Sequence, residues 1–329
     1  MVKPFVGRPL LDIASLGRPG PGRRDRLSPA ELAQIARTVG RAPEVMVKVL
    51  TRGSHDLGSL RRHVGYLSRD GELELETDAG ERIGGRVAER ELEKDWNLDL
   101  EEHRRTDELT ASRGRKPAKF VHKLILSMPA GTPPQAVLKA SRDFLREEFG
   151  LKHRYAFVLH TDEAHPHVHA VVKAVSERGE RLHIRKATLR RWRSEFARHL
   201  RAQGVEANAT ERAVRGQVVG AKHDAIYRVM RERQRPSRHF DTKVSEVAKE
   251  IQQSKAVSAP GRQRLRATRI AVTDGWIGVA ERLRQDGHPE LAIAAARLRE
   301  RMPVPRTEQE RIAEGLRDQQ RLRAQERTR

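Results

Sequence analysis

The chain has 329 residues, of which 34% are charged, only 4% are aromatic and none is cysteine. The absence of cysteine excludes a disulfide-built fold and a thiolate metal site, and it favours a reducing, cytoplasmic setting. The formal net charge is +21, which predicts a polyanionic partner, with nucleic acid as the first candidate. No apolar stretch is long enough to predict a membrane span.

The chain is predicted to begin with a basic, flexible arm. Residues 1–44 start with a segment rich in Gly, Pro and Arg. A short helix is predicted near the end of this arm, because Ser28 and Glu31 have the spacing of a capping box.

The central part, residues 45–216, is predicted to be one domain of strands and helices. Apolar residues follow the spacing of strands or of amphipathic helices. A capping box formed by Thr132 and Gln135 is predicted to begin the second helix. We expect an α+β fold, a mostly antiparallel sheet with helices on one side. The predicted order is strand 45–51, a helix from residue 57, strand 120–128, a helix ending near Gly150, strands 154–159 and 170–175, and helix 188–203. Residues 217–329 are charged and are predicted to form a helical C-terminal region.

The residues most informative about chemistry lie between the last two predicted strands. His160, Asp162, His165, His167 and His169 fall within ten residues. Because side chains alternate along a strand, His160, His167 and His169 can converge if these strands pair as a hairpin. Three imidazoles with open remaining positions are typical of a catalytic metal site. His165 has the opposite parity and lies in the loop, so we expect it outside the cluster.

A metal site on a strongly basic chain predicts phosphodiester chemistry. Metal-activated water would need no further residue, whereas a covalent mechanism needs an activated side chain. The chain has three tyrosines: Tyr66, Tyr155 and Tyr227. Tyr155 has the wrong parity to join His160, and Tyr227 lies in the C-terminal region. Tyr66 lies at a predicted helix end, away from the apolar stripe, and is the favoured candidate.

These segments together resemble the histidine–hydrophobic–histidine endonucleases, and among them the conjugative relaxases of the T-DNA border endonuclease type. The pattern His160-x-Asp162-x4-His167-Val-His169 is similar to the signature that names the group. Three further segments resemble family motifs in the same order: residues 63–75 around the tyrosine, residues 123–131 with Met128 where Phe is usual, and residues 209–216, a basic turn that closes the domain.

The resemblance implies a role for each matching residue. Tyr66 would be the nucleophile, His160, His167 and His169 would bind Mg²⁺ or Mn²⁺, and Asp162 would orient an imidazole or assist removal of the tyrosine proton. Arg69 and Ser127 are expected near the DNA. The family fold is a five-stranded antiparallel sheet flanked by helices.

The activity implied by the resemblance is nicking of one strand at a transfer origin, with a 5′-phosphotyrosyl intermediate, for conjugative transfer or plasmid mobilization. The implied partners are single-stranded DNA, an accessory DNA-binding protein and the coupling ATPase of a type IV secretion channel. The setting would be the bacterial cytoplasm, with export alongside the DNA, and residues 217–329 would carry the signal that the ATPase reads.

Three alternatives stay open at this point. A rolling-circle replication initiator of the same superfamily typically has its tyrosine after the histidine pair, whereas Tyr66 precedes it. A non-enzymatic DNA-binding protein would carry the histidines incidentally. A metallohydrolase that activates water would lose little activity on Tyr66→Phe.

Overall fold

The computed structural model describes residues 26–50, 57–85, 87–98, 119–217, 238–253 and 255–327. The chain divides into two compact units, one formed by Arg41–Ala209 and the other by Met1–Gly40 together with Thr210–Arg329. The predicted fold class is confirmed, because the first unit has an antiparallel sheet flanked by helices and the C-terminal region is helical. The helices in the described residues are α1 Pro29–Val39, α2 Leu57–Ser68, α3 Ala88–Asp95, α4 Pro134–Phe149, α5 Lys186–Ala202, α6 Arg238–Gln252, α7 Arg262–Gln285, α8 Pro289–Glu300 and α9 Glu308–Arg327.

The sheet has six antiparallel strands in the order β1-β4-β6-β5-β2-β3. The resemblance implied five strands, whereas the described residues form six, of which the shortest is the two-residue β3, paired with β2 at one edge. The strands are β1 Met46–Leu50, β2 Leu75–Thr77, β3 Arg82–Ile83, β4 Val121–Ser127, β5 Tyr155–His160 and β6 His167–Lys173.

Helices cover both faces of the sheet, so the expectation of helices on one side was wrong. The core on one face includes Phe157 of β5 with residues of α4 and α5, and the core on the other includes Val158 with residues of α2 and α3. The reason is visible in β5 and β6, where residues of both parities are buried. A central strand with apolar residues on both faces needs a cover on each.

The predicted capping box at the start of α4 was also wrong. The helix begins at Pro134, its N-cap is Pro133, and no side chain caps it. The hydroxyl of Thr132 instead donates to the carbonyl of Pro129 in the preceding turn, at 2.9 Å. Proline at the first helical position is favourable because its missing N–H would have had no helical partner.

The second unit is helical and includes α1. The capping box of Ser28 and Glu31 is confirmed. In the core of this unit the Trp276 indole donates to the carbonyl of Val214 at 2.9 Å, and both residues pack with Ile35. Residues 210–216 therefore belong to this unit, and the structure divides the chain at 40/41 and 209/210, where the sequence predicted boundaries at 44/45 and 216/217. No helix in the described residues is long and apolar enough to cross a membrane.

Candidate active site

Three histidines converge at the end of the β5–β6 hairpin. His160 ends β5 and pairs across the ladder with His167, the first residue of β6, while His169 lies opposite Val158. Each histidine offers one ring nitrogen, and these atoms lie within 4.8 Å of one another. The ring centroids are 4.9 to 5.4 Å apart. The structure thus brings together the three residues for which strand alternation predicted convergence.

Backbone carbonyls determine which nitrogen of two of these rings carries the hydrogen. Nε2 of His160 donates to the carbonyl of Leu67 at 2.8 Å, and Nδ1 of His167 donates to the carbonyl of His165 at 3.0 Å. Because a carbonyl can only accept, His160 keeps a lone pair on Nδ1 and His167 keeps one on Nε2. Hydrogen bonds of this kind orient metal-binding imidazoles in proteins.

Burial favours the neutral form of two of the three rings, those of His160 and His169. Burial first, and then the neighbouring His160 and His167, lower the pKa of His169 to about 3. Burial also lowers the pKa of His160, against the opposing effect of its bond to the Leu67 carbonyl. Neutral imidazoles are the form that binds metals, so the donor set fits a divalent cation. Three nitrogen donors suit Mn²⁺ better than Mg²⁺, which prefers oxygen.

Tyr66 lies beside this cluster near the end of α2. Tyr66 is 63% exposed, which is unusual for a large side chain that is mostly apolar. Its ring centroid is 6.2 Å from that of His160 and 6.2 Å from that of His169. The next residue, Leu67, supplies the carbonyl that holds His160. The same stretch of α2 therefore presents the tyrosine and orients one predicted ligand.

The turn after α2 connects to the loop of the histidine hairpin. Arg69, Asp70 and Gly71 have positive φ angles of 51°, 54° and 100°, so the chain reverses sharply. The guanidinium of Arg69 lies 2.6 Å from the carboxylate of Asp162. Burial tends to raise the pKa of Asp162, but its backbone hydrogen bond and Arg69 outweigh this and lower the pKa. The charged Asp162 is thus paired with Arg69, whereas the resemblance implied an imidazole as one of its partners.

The remaining residues considered from the sequence occupy different places. Ser127 ends β4 opposite His167, is buried, and its hydroxyl donates to the carbonyl of Met128 at 3.4 Å. His165 is exposed and is not one of the three clustered histidines. Tyr155 is buried in the core, and Tyr227 lies outside the described residues.

One residue of the site received no role from the sequence. His63 lies one turn before Tyr66 on α2, and their rings are stacked, with centroids 6.3 Å apart and an angle of 17° between the planes. Its ring also meets His169 edge-on at 6.4 Å. Burial, the charge of Lys123 and then His160 lower the pKa of His63 to about 4. The spacing of three residues on one helix was the signal that could have placed it beside Tyr66.

Comparisons with known proteins agree on one kind of domain. Residues 79–205 match the family described as relaxase, MobA/VirD2-like, nuclease domain. This segment includes the three histidines and begins after Tyr66. The T-DNA border endonuclease VirD2 of Rhizobium radiobacter is 30% identical over 193 residues, which are 53% of this chain and 43% of that protein.

Further matches are shorter or weaker. The T-DNA border endonuclease VirD2 of Agrobacterium fabrum is 31% identical over 137 residues, which are 39% of this chain and 30% of that protein. The chain thus matches less than half the length of these relatives. A solved structure titled "Molecular Basis of Vancomycin Resistance Transfer in Staphylococcus aureus" aligns over 51% of this chain and 98% of that one, with 14% identity and a TM-score of 0.33, which is too low to establish a shared fold.

Proposed function

We propose that the chain carries a nuclease domain of the MobA/VirD2-like relaxase type and nicks DNA by transesterification through Tyr66. One observation supports this most: the exposed phenol lies against the rings of His160 and His169, and the residue after it holds His160 through a backbone carbonyl. A nucleophile and a metal-binding cluster joined in this way suit an attack on a phosphate placed between them.

In the proposed reaction, the phenol oxygen of Tyr66 attacks the scissile phosphorus and loses its proton to solvent or to Asp162. A bond forms between phosphorus and the tyrosine oxygen as the bond to the 3′ oxygen breaks. The departing 3′ oxygen takes a proton from solvent or from Asp162, which leaves a 5′-phosphotyrosyl ester and a free 3′-hydroxyl. Because the phosphoester is conserved, the same site can rejoin the strand. A divalent cation held by His160, His167 and His169 would supply charge stabilisation at the phosphate oxygens.

The basic chain is proposed to bind the substrate as single-stranded DNA. The net charge of +21 favours contacts with phosphates that do not depend on sequence. Arg69 uses one nitrogen on Asp162 and, as a guanidinium, has further N–H groups that can contact a phosphate at the rim of the site. Ser127 is proposed to lie near the DNA backbone, at the strand end opposite His167.

The wider role is proposed by analogy with the relatives. A relaxase of this type would act at a transfer origin in the bacterial cytoplasm, with an accessory protein to open the duplex. Residues 217–329 would be recognised by the coupling ATPase of a type IV secretion channel, and the protein would leave the cell with the DNA. Mg²⁺ or Mn²⁺ would serve as the metal.

Covalent capture tests the proposal even when the origin sequence is unknown. The full chain is incubated with a randomised single-stranded DNA library and Mn²⁺ or Mg²⁺, and protein–DNA adducts that survive detergent are isolated and sequenced. We expect adducts enriched in one sequence, attached to the peptide that contains Tyr66. Tyr66→Phe should form none, because the attacking oxygen is absent, while its affinity for single-stranded DNA should change little.

Tyr155→Phe is the matched control, because it removes the same oxygen from a tyrosine buried in the core. This variant should form adducts as the wild type does. If Tyr66→Phe instead cleaves the enriched sequence with a free 5′-phosphate product, a water-activating metallohydrolase replaces the relaxase. If neither cleavage nor adducts occur but the library is still bound, a non-enzymatic DNA-binding protein is the better description.

A further inference from the structure

The phenol of Tyr66 has few constraints on its position. Its side chain is 63% exposed, and among the described residues no hydrogen bond holds its hydroxyl. Three rings surround it, those of His63, His160 and His169, with centroids 6.2 to 6.3 Å away. An exposed tyrosine without such contacts samples several staggered rotamers. The reacting oxygen of a nucleophile must, however, lie about 3–3.5 Å from its target.

His63 differs from the other two neighbours of Tyr66. It is outside the group of three histidines that could hold a metal. Its ring lies nearly parallel to the phenol ring, whereas His160 and His169 meet that ring at 60° and 86°. Nε2 of His63 is buried and has no hydrogen-bond partner among the residues that the structure describes. His63 therefore contacts Tyr66 by stacking its ring on the phenol ring.

We propose that His63 is a positioning residue, which holds the phenol of Tyr66 against the histidine cluster by stacking on one face while its edge packs on His169. This inference rests on the proposed function, because it gives His63 a purpose only if Tyr66 is the nucleophile. Stacking from one helical turn away fixes the direction of the phenol before DNA arrives. His63 touches neither the metal nor the phosphate in this role.

The position of Tyr66 can be measured without DNA. The protein is labelled with 3-fluorotyrosine, and the Tyr66 resonance is assigned with Tyr66→Phe. Co²⁺ alone is then added, and its pseudocontact shift reports the place of the ring relative to the metal. We expect a large shift in the wild type and in His63→Phe, which keeps a flat ring. His63→Leu, with similar bulk and no ring, should reduce the shift at least two-fold, with Co²⁺ affinity unchanged. Equal shifts in all three proteins would overturn the proposal.

Kinetics on the captured DNA sequence give the second measurement. His63→Leu should lower kcat about ten-fold or more with little change in KM, because DNA contacts are intact while the nucleophile is misplaced. His63→Phe should restore most of the rate. A rate loss in both variants, or a loss only in KM, would overturn the positioning role. Hydrogen exchange in β4–β6 checks that each variant is folded.

The two proposals fail separately. Absence of adducts with the wild type would end the relaxase proposal, whatever the fluorine shifts show. Normal adduct formation with identical fluorine shifts in His63→Leu would end the His63 proposal and leave the relaxase intact.

Discussion

Replacing Gly71 with alanine should destabilise the first unit and disturb the turn that carries Arg69. Gly71 has a φ of 100°, and an added Cβ would lie 2.5 Å from the backbone carbon of Gly85. The positive φ alone costs an alanine about 1–2 kcal/mol. The contact is with main chain, which cannot rotate away, so relief requires a backbone shift that adds about 1–3 kcal/mol. We expect a total loss of about 2–5 kcal/mol.

Gly80→Ala separates the two contributions. Gly80 also has a positive φ, 82°, but an added Cβ there would have no described atom within 4 Å and would meet open space. This substitution should cost only about 1–2 kcal/mol. The free energy of unfolding is measured in the full chain by urea-dependent hydrogen exchange of peptides from β4–β6. Equal losses in the two variants would refute the role of the close approach between Gly71 and Gly85.

The other predictions concern the cluster, pH and the division of the chain. His167→Ala should abolish adduct formation whereas His165→Ala should not, and equal damage measured by covalent capture would contradict the ligand assignment. Burial, and then Lys119, lowers the pKa of His122 from 6.5 to about 4. Protons therefore bind more readily to the unfolded chain, so the free energy of unfolding should fall by about 3 kcal/mol between pH 6.5 or above and pH 4. Urea titrations of His122→Gln should show a smaller fall over the same pH range. Residues 41–209 alone should form adducts at a rate similar to that of the full chain, with weaker and less salt-dependent DNA binding. Loss of cleavage would mean that the catalytic domain extends beyond these residues.

The parts of the fold that follow from periodicity could be predicted. The stripe Leu57, Leu60, Val64 and Leu67 is buried in α2, and the strands that carry the histidines pair as the hairpin that their alternation indicated. Such elements are specified locally, by which faces of a helix or strand are apolar. Whether helices cover one face of the sheet or both depends on whether the odd and the even residues of each strand are apolar. Ala156 and Val158 of β5 are apolar and buried on the second face, so the sequence already indicated a cover there.

The short edge strands β2 and β3 could not be predicted in the same way. They have three and two residues, which is too few to show an alternation. Their place is set by partners distant in sequence: Glu76 pairs across the ladder with Phe157, and its carboxylate accepts hydrogen bonds from Arg142 of α4. Helix capping could also be predicted only in part from the sequence. The motif at Ser28 forms a capping box, whereas the similar motif at Thr132 does not. A capping motif specifies a helix start only where the preceding chain leaves the side chain available.

The candidate site combines both kinds of information. The alternation of side chains along β5 and β6 predicts that the three histidines share a face, but it does not predict that α2 lies beside them. That approach depends on two contacts between residues far apart in sequence: His160 with the carbonyl of Leu67, 93 residues earlier, and Asp162 with Arg69. Both contacts attach residues that follow Tyr66, one at the end of α2 and one in the turn after it, to the histidine hairpin. These two contacts place the backbone of Tyr66 beside the cluster, and the proposed stacking on His63 then orients its phenol.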